Sequence, residues 1–267
     1  MTVTAKITDD AGPATRIYGA LTIISLALAA IMLPPLLLDQ RRLDGIGVWL
    51  KPMKFSLSFC VYFATLALVE NRLTPEALNG RPMRWTGMVI AGAFIFEMGY
   101  IMTQAGRAEH SHFNETTPHH SVMYMLMGIG AVCLVCGAAV VGWVARRDIH
   151  ARFGPALREG VFLGLTVSLI PTLLIAGYLG RNGSHFVGFH PENAPVIPLF
   201  GWSLATGDLR PAHFLSLHAM QVLPIAGLLF DWRHIGIRPL WLVAGIYVLL
   251  CLALFSQALM GLPLIRL

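Results

Sequence analysis

The chain has 267 residues, 56% hydrophobic and only 12% charged, with a mean hydropathy of +0.67. An ordinary soluble domain carries about a quarter charged residues, so this composition excludes a core wrapped in a water-facing surface. The formal charge of +5 comes without a basic block interleaved with aromatics, which argues against nucleic acid and for lysines and arginines that orient helices in a lipid bilayer.

A spanning helix needs roughly 20 mainly apolar residues, and seven windows meet that need. The predicted class is an all-α integral membrane protein, with a short tail (1–16) followed by a single domain (17–267) of seven transmembrane helices. The first window is 17–38; its stretch from Leu21 to Ala30 has the look of a signal peptide, but the apolar run continues through Leu38, long enough to span. The second, 50–69, contains Lys51 and Lys54, which are expected to snorkel outward from its first turn.

The third window, 85–104, carries a polar stripe. Glu97, Tyr100, Gln104 and Arg107 recur at intervals of three, four and three residues, and at about 100° per residue they share an arc of about 80°. The fourth window, 122–145, follows a connection rich in Glu109, His110, His112, Glu115, His119 and His120. The fifth is 161–179. Before the sixth, 211–230, come His185, His190, Glu192, Asp208 and Arg210, and the window itself bears His213, His218 and Gln221. The seventh, 240–262, carries Gln257 near its end. All six tryptophans fall at or just beyond window ends, where amphipathic rings favour the headgroup layer.

Alternate connections carry Lys and Arg in a ratio of eleven to eight, which favours a cytoplasmic N-terminus and an extracytoplasmic C-terminus in a cell membrane, most simply a bacterial plasma membrane. The polar residues lie on one side only. Eight of the ten histidines gather on the extracytoplasmic side, and the cysteines Cys60, Cys133, Cys136 and Cys251 stay inside apolar runs without a disulfide pattern.

Histidine is the commonest metal ligand and a frequent axial ligand of haem. The expected site is therefore a metal or haem held by His112, His119 or His120 with His213 or His218, serving membrane redox or metal-dependent chemistry with another membrane or extracytoplasmic redox protein. His213 and His218 are five residues apart, about 140° around a helix, so the two do not face one metal together. Glu97, Tyr100, Gln104, Arg107, Asp208, Arg210, Gln221 and Gln257 make the polar pocket. Two other classes fit the same residues: a transporter or sensor for a small polar solute, and an assembly or scaffold protein. The last helix has neither histidine nor lysine, so it offers no His-x-x-x-His zinc pair and no retinal Schiff base.

Overall fold

A computed structural model describes residues 13–191 and 193–265, with the side chains of 13–16 left aside. The predicted tail, apart from its last backbone residues, and Glu192 lie outside the described residues. Among the described residues seven helices are long and apolar enough to cross a membrane: Ile17–Leu38, Leu50–Glu70, Arg81–Arg107, Pro118–Arg147, Pro155–Asn182, Arg210–Trp232 and Arg238–Leu259. The third, fourth and fifth start before their predicted windows, because Pro82, Pro118 and Pro155 open helices among residues too polar to register as apolar. The seventh stops three residues short of its window, at Leu259, and Gly261 turns there with φ of 73°. Ile23, Leu37, Ile95, Ile170 and Leu242 are more than half exposed on these helices. A helix clothed in apolar side chains and satisfied in its own backbone is what lipid requires. The molecule is a multi-pass membrane protein with seven spans among the described residues.

The chain forms two compact units, Met1–Arg152 and Phe153–Leu267. In the first, four spans pack around aromatic rings. Phe63, fully buried, lies 5.0 Å from Phe94 at 90° and 5.8 Å from Phe59, and Phe59 meets Phe94 at 5.0 Å and 76°. The two edge-to-face pairs with Phe94 suit the charge distribution of the rings. The fourth span approaches the third through two glycines seven residues apart. A Cβ on Gly137 would come 2.5 Å from Ile90, and one on Gly130 would come 2.7 Å from Glu97 Oε1. Ile90 and Glu97 are also seven apart, so one heptad of each helix faces one of the other. Tyr62 ties the second span to the fourth by donating to the Leu134 carbonyl at 2.7 Å.

Connections in this unit are held by side-chain bonds. Asp44 and Gly45 both take positive φ (52° and 75°) and turn a two-residue hairpin, Arg42–Leu43 with Ile46–Gly47. Asp39 accepts from Arg41 at 2.6 Å and from the Trp49 indole at 2.8 Å; these donors hold its carboxyl well below the usual carboxylate range. Thr117 caps the fourth span by accepting from the His120 amide at 3.2 Å.

The second unit rests on backbone-to-backbone packing of the fifth and sixth spans. A Cβ on Gly160 would lie 2.5 Å from the Leu223 carbonyl, one on Gly164 would lie 2.7 Å from both the Ala219 carbonyl and Pro224, and one on Gly227 would lie 2.4 Å from the Ala156 carbonyl. Gly160-x-x-x-Gly164 is thus a small-residue seam of the kind that brings membrane helices together. Asp231, at the end of the sixth span, accepts from the Ala156 and Leu157 amides at 2.9 and 2.8 Å and caps the fifth. The fifth span is interrupted at Ser168, between helical stretches Pro155–Val167 and Leu169–Asn182; Pro171, just beyond, has no amide to give to Val167.

Gly164→Val is expected to destabilise the detergent-solubilised protein by about 1–3 kcal/mol through overpacking, read as a lower melting temperature. Gly177→Val, in the same span with nothing within 4 Å of its Cβ position, serves as the control. Equal losses from the two would contradict the seam.

Candidate functional site

Glu97 is the centre of the polar chemistry in the first unit. It is 4% exposed, deep in the third span, and its Oε1 accepts no hydrogen bond among the described residues. Gly130 leaves the notch in which that oxygen lies. Facing it electrostatically is Lys51 of the second span, whose charge acts on Glu97 and Glu97's on it. Lys51 does not snorkel as expected; it is half-buried, and its Nζ lies 3.1 Å from His112 Nδ1. An ammonium has only donors, so Nδ1 accepts and the ring keeps its proton on Nε2.

The connection before the fourth span is built to hold His112. Its ring lies 5.7 Å from Phe55, 6.5 Å from Phe113 and 6.1 Å from Tyr124, and Ser111 Oγ is 3.2 Å from Nδ1. Phe113 has φ of 56°, a conformation that a bulky side chain adopts only under constraint. Asn114, 7% exposed, fixes the loop by donating to the His110 carbonyl at 3.0 Å and accepting from Thr116 Oγ1 at 2.7 Å.

The rest of the predicted stripe divides. Gln104, 2% exposed, donates to Glu109 Oε2 at 3.2 Å and to the His110 carbonyl at 3.1 Å, while Arg107 is exposed and 3.4 Å from Glu109 Oε1. These two close the end of the third span over Glu109. Tyr100 stacks on Phe96 with centroids 6.5 Å apart, its hydroxyl without a hydrogen bond among the described residues. His120 reaches Thr116 Oγ1 at 2.9 Å and Glu109 at 3.5 Å, and His119 is exposed with its ring 5.8 Å from that of His120.

In the second unit Asp208 and Arg210 form a closed knot before the sixth span. Asp208, 3% exposed, accepts from the Ser203 amide at 2.8 Å and from Arg210 at 2.7 Å, and Arg210 donates onward to the Gly201 carbonyl at 2.6 Å. Phe186 carries the His190 ring stacked at 3.7 Å and the Arg210 guanidinium at 5.1 Å. Burial, helped by the Arg210 charge, holds His190 below the ordinary imidazole value. His213 is half-buried with Nδ1 lacking a hydrogen bond among the described residues; His218 shares its Nδ1 with the Phe214 carbonyl at 2.8 Å and stacks on Phe214 at 3.9 Å. Gln221 is half-buried, and Gln257 donates to the Pro263 carbonyl at 2.6 Å, closing the end of the seventh span.

Among the described residues no three His, Cys, Asp or Glu side chains converge so as to hold a metal ion. The sequence reading missed Lys51 as a member of the site and Glu109 as the hub that occupies Gln104, Arg107 and His120. Glu70, at the other end of the second span, is fully buried and interacts with Tyr18. The second span begins at the end where the third finishes, which places Lys51 near the depth of the stripe and was the available signal. The chain matches no protein-family model, no curated protein and no solved structure.

The His190 knot has a pH signature. Its folded value is depressed, so the unfolded chain takes up the proton first and stability falls as pH drops below the ordinary imidazole value of about 6.5. The gap in melting temperature between wild type and His190→Gln should therefore be widest above that value and narrow below it. A gap that is constant or widens on acidification would contradict the burial of His190.

Proposed function

We propose that this multi-pass membrane protein binds a small polar solute, one bearing a hydrogen-bond donor, in the half of its first unit that lies towards the 108–117 connection. The observation that supports this reading is the Glu97 carboxylate. A buried carboxylate oxygen without a partner costs several kcal/mol in lipid surroundings. A structural staple would close on it, and Gln104 and Arg107, on the same helix face, close on Glu109 instead. A bound donor at Oε1 relieves the penalty, and the Lys51 ammonium supplies a donor for an acceptor group elsewhere on the solute. The protein then acts as a sensor or transporter, loaded from the end of the unit where His112 and its connection lie. The histidine contacts favour this over a metal or haem, since His112 bonds to Lys51, and His120 to Thr116 and Glu109.

The test is a thermal-shift panel of ammonium, primary amines, amino acids and small polyols on the full chain in nanodiscs. One of these classes is expected to raise the wild-type melting temperature. Glu97→Gln should weaken its apparent affinity about tenfold to a hundredfold, as loss of a charge-assisted hydrogen bond implies. Unchanged affinity in Glu97→Gln overturns the reading. So does a stoichiometric metal or a Soret band in gently purified protein, which would restore the cofactor reading.

A further inference from the structure

We infer that Glu97 takes up and releases a proton through Lys51 and His112, so that occupancy of the site is linked to the proton concentration at the His112 end of the unit. The inference rests on the reading that the Glu97 pocket is the functional site, and it adds the chemistry of that site.

Three observations carry it. The first is the carboxylate oxygen in the Gly130 notch, buried and without a hydrogen bond among the described residues, for which a proton is the smallest possible partner. The second is Lys51, which feels Glu97 electrostatically while its ammonium rests 3.1 Å from His112 Nδ1. Lysine carries its charge on a flexible four-carbon stem, and the inferred relay has the ammonium move from the ring towards the carboxylate. The third is the strained connection, in which Phe113 at φ 56° packs beside His112 while Ser111 Oγ reaches the same ring nitrogen.

The transfer balances in two steps. Lys51 gives a proton to Glu97, one N–H bond breaking and one O–H bond forming, which leaves an amine and a carboxylic acid. His112, having taken a proton from hydronium at Nδ1, passes it to the amine and returns to neutral imidazole. The net change is one proton moved from water to Glu97, with the charge of the pocket raised by one.

Other titratable groups around the carboxylate are accounted for by element. The second span brings Lys51, with Lys54 one turn on, and the connection brings His112. The fourth span, packed on the carboxylate at Gly130, carries Tyr124 and Cys133 on either side of it in sequence. Tyr100 lies on the third span itself, and Glu109, Arg107 and His120 are engaged with one another at its end.

The experiment is infrared difference spectroscopy of the full chain in nanodiscs, stepped between about pH 5 and about pH 9 to cover carboxyl and imidazole titration. A carboxylic-acid carbonyl band that titrates in wild type, disappears in Glu97→Gln and persists in Glu109→Gln is expected. After a pH jump, Lys51→Met should slow its appearance about a hundredfold, the scale of a lost proton-transfer group. A band unaffected by Glu97→Gln, or an unchanged rate in Lys51→Met, overturns the inference. If Glu97→Gln fails to fold, dicyclohexylcarbodiimide, which reacts with protonated carboxyls in apolar surroundings, is applied to wild type and read by peptide mass. Labelling of Glu97 that rises as pH falls supports the inference, and labelling of Glu109 with none of Glu97 overturns it. A solute that shifts the melting temperature without any titrating band removes the proton step and leaves the solute reading standing. A titrating band with no solute shift does the reverse.

Discussion

Lipid offers no hydrogen bonds, so every polar group carried into a membrane helix needs a partner from the protein itself. The caps and knots of both units answer this demand. Asp231 accepts from the amides that open the fifth span, Gln257 donates to carbonyls beyond the seventh, and Tyr62 and Tyr247 donate across to carbonyls at 2.7 Å each. Arg210 and Asp208 saturate one another and the loop around them. Glu97 Oε1 is one of several buried polar atoms without a hydrogen bond among the described residues, and it lies on a face where Gln104, two turns along, is satisfied.

The two glycine contacts of the third and fourth spans show how that oxygen is placed. Gly137 admits Ile90, an ordinary apolar knob, and Gly130, one heptad away, admits a carboxylate. The same packing device therefore holds a charge at a position where the helix register offers a slot for a side chain. Lys51 completes the arrangement by resting on His112 and acting on Glu97 from a distance. A contact ion pair would have been a closed structural unit; a separated pair leaves the carboxylate open to a proton or a donor.

Much of the architecture was legible in the sequence because hydropathy and tryptophan placement answer to the same bilayer. All seven windows fall on helices, and Trp49, Trp85, Trp143, Trp232 and Trp241 lie within about two turns of their ends. Side-chain partnership was less legible. The arc of Glu97, Tyr100, Gln104 and Arg107 follows from helix geometry, yet whether each stays among the helices or turns to Glu109 depends on how the 108–117 connection folds back, which periodicity does not encode. The direction of Lys51 depends on the same connection, since His112 Nδ1 meets its ammonium there. The interruption at Ser168 escaped because hydropathy runs through it unbroken, and the seam of Gly160 and Gly164 is a matter of backbone approach rather than of polarity.

The central claim is that Lys51 and Glu97 stabilise one another across the interior of the first unit. A double-mutant cycle of Lys51→Met and Glu97→Gln, read as unfolding free energy of the full chain in detergent, measures this directly. Removing one member of a buried pair strands the other, and removing both relieves it, so the account predicts a double variant more stable than the two single losses together imply, with a coupling on the order of 1 kcal/mol. Strictly additive losses would contradict it.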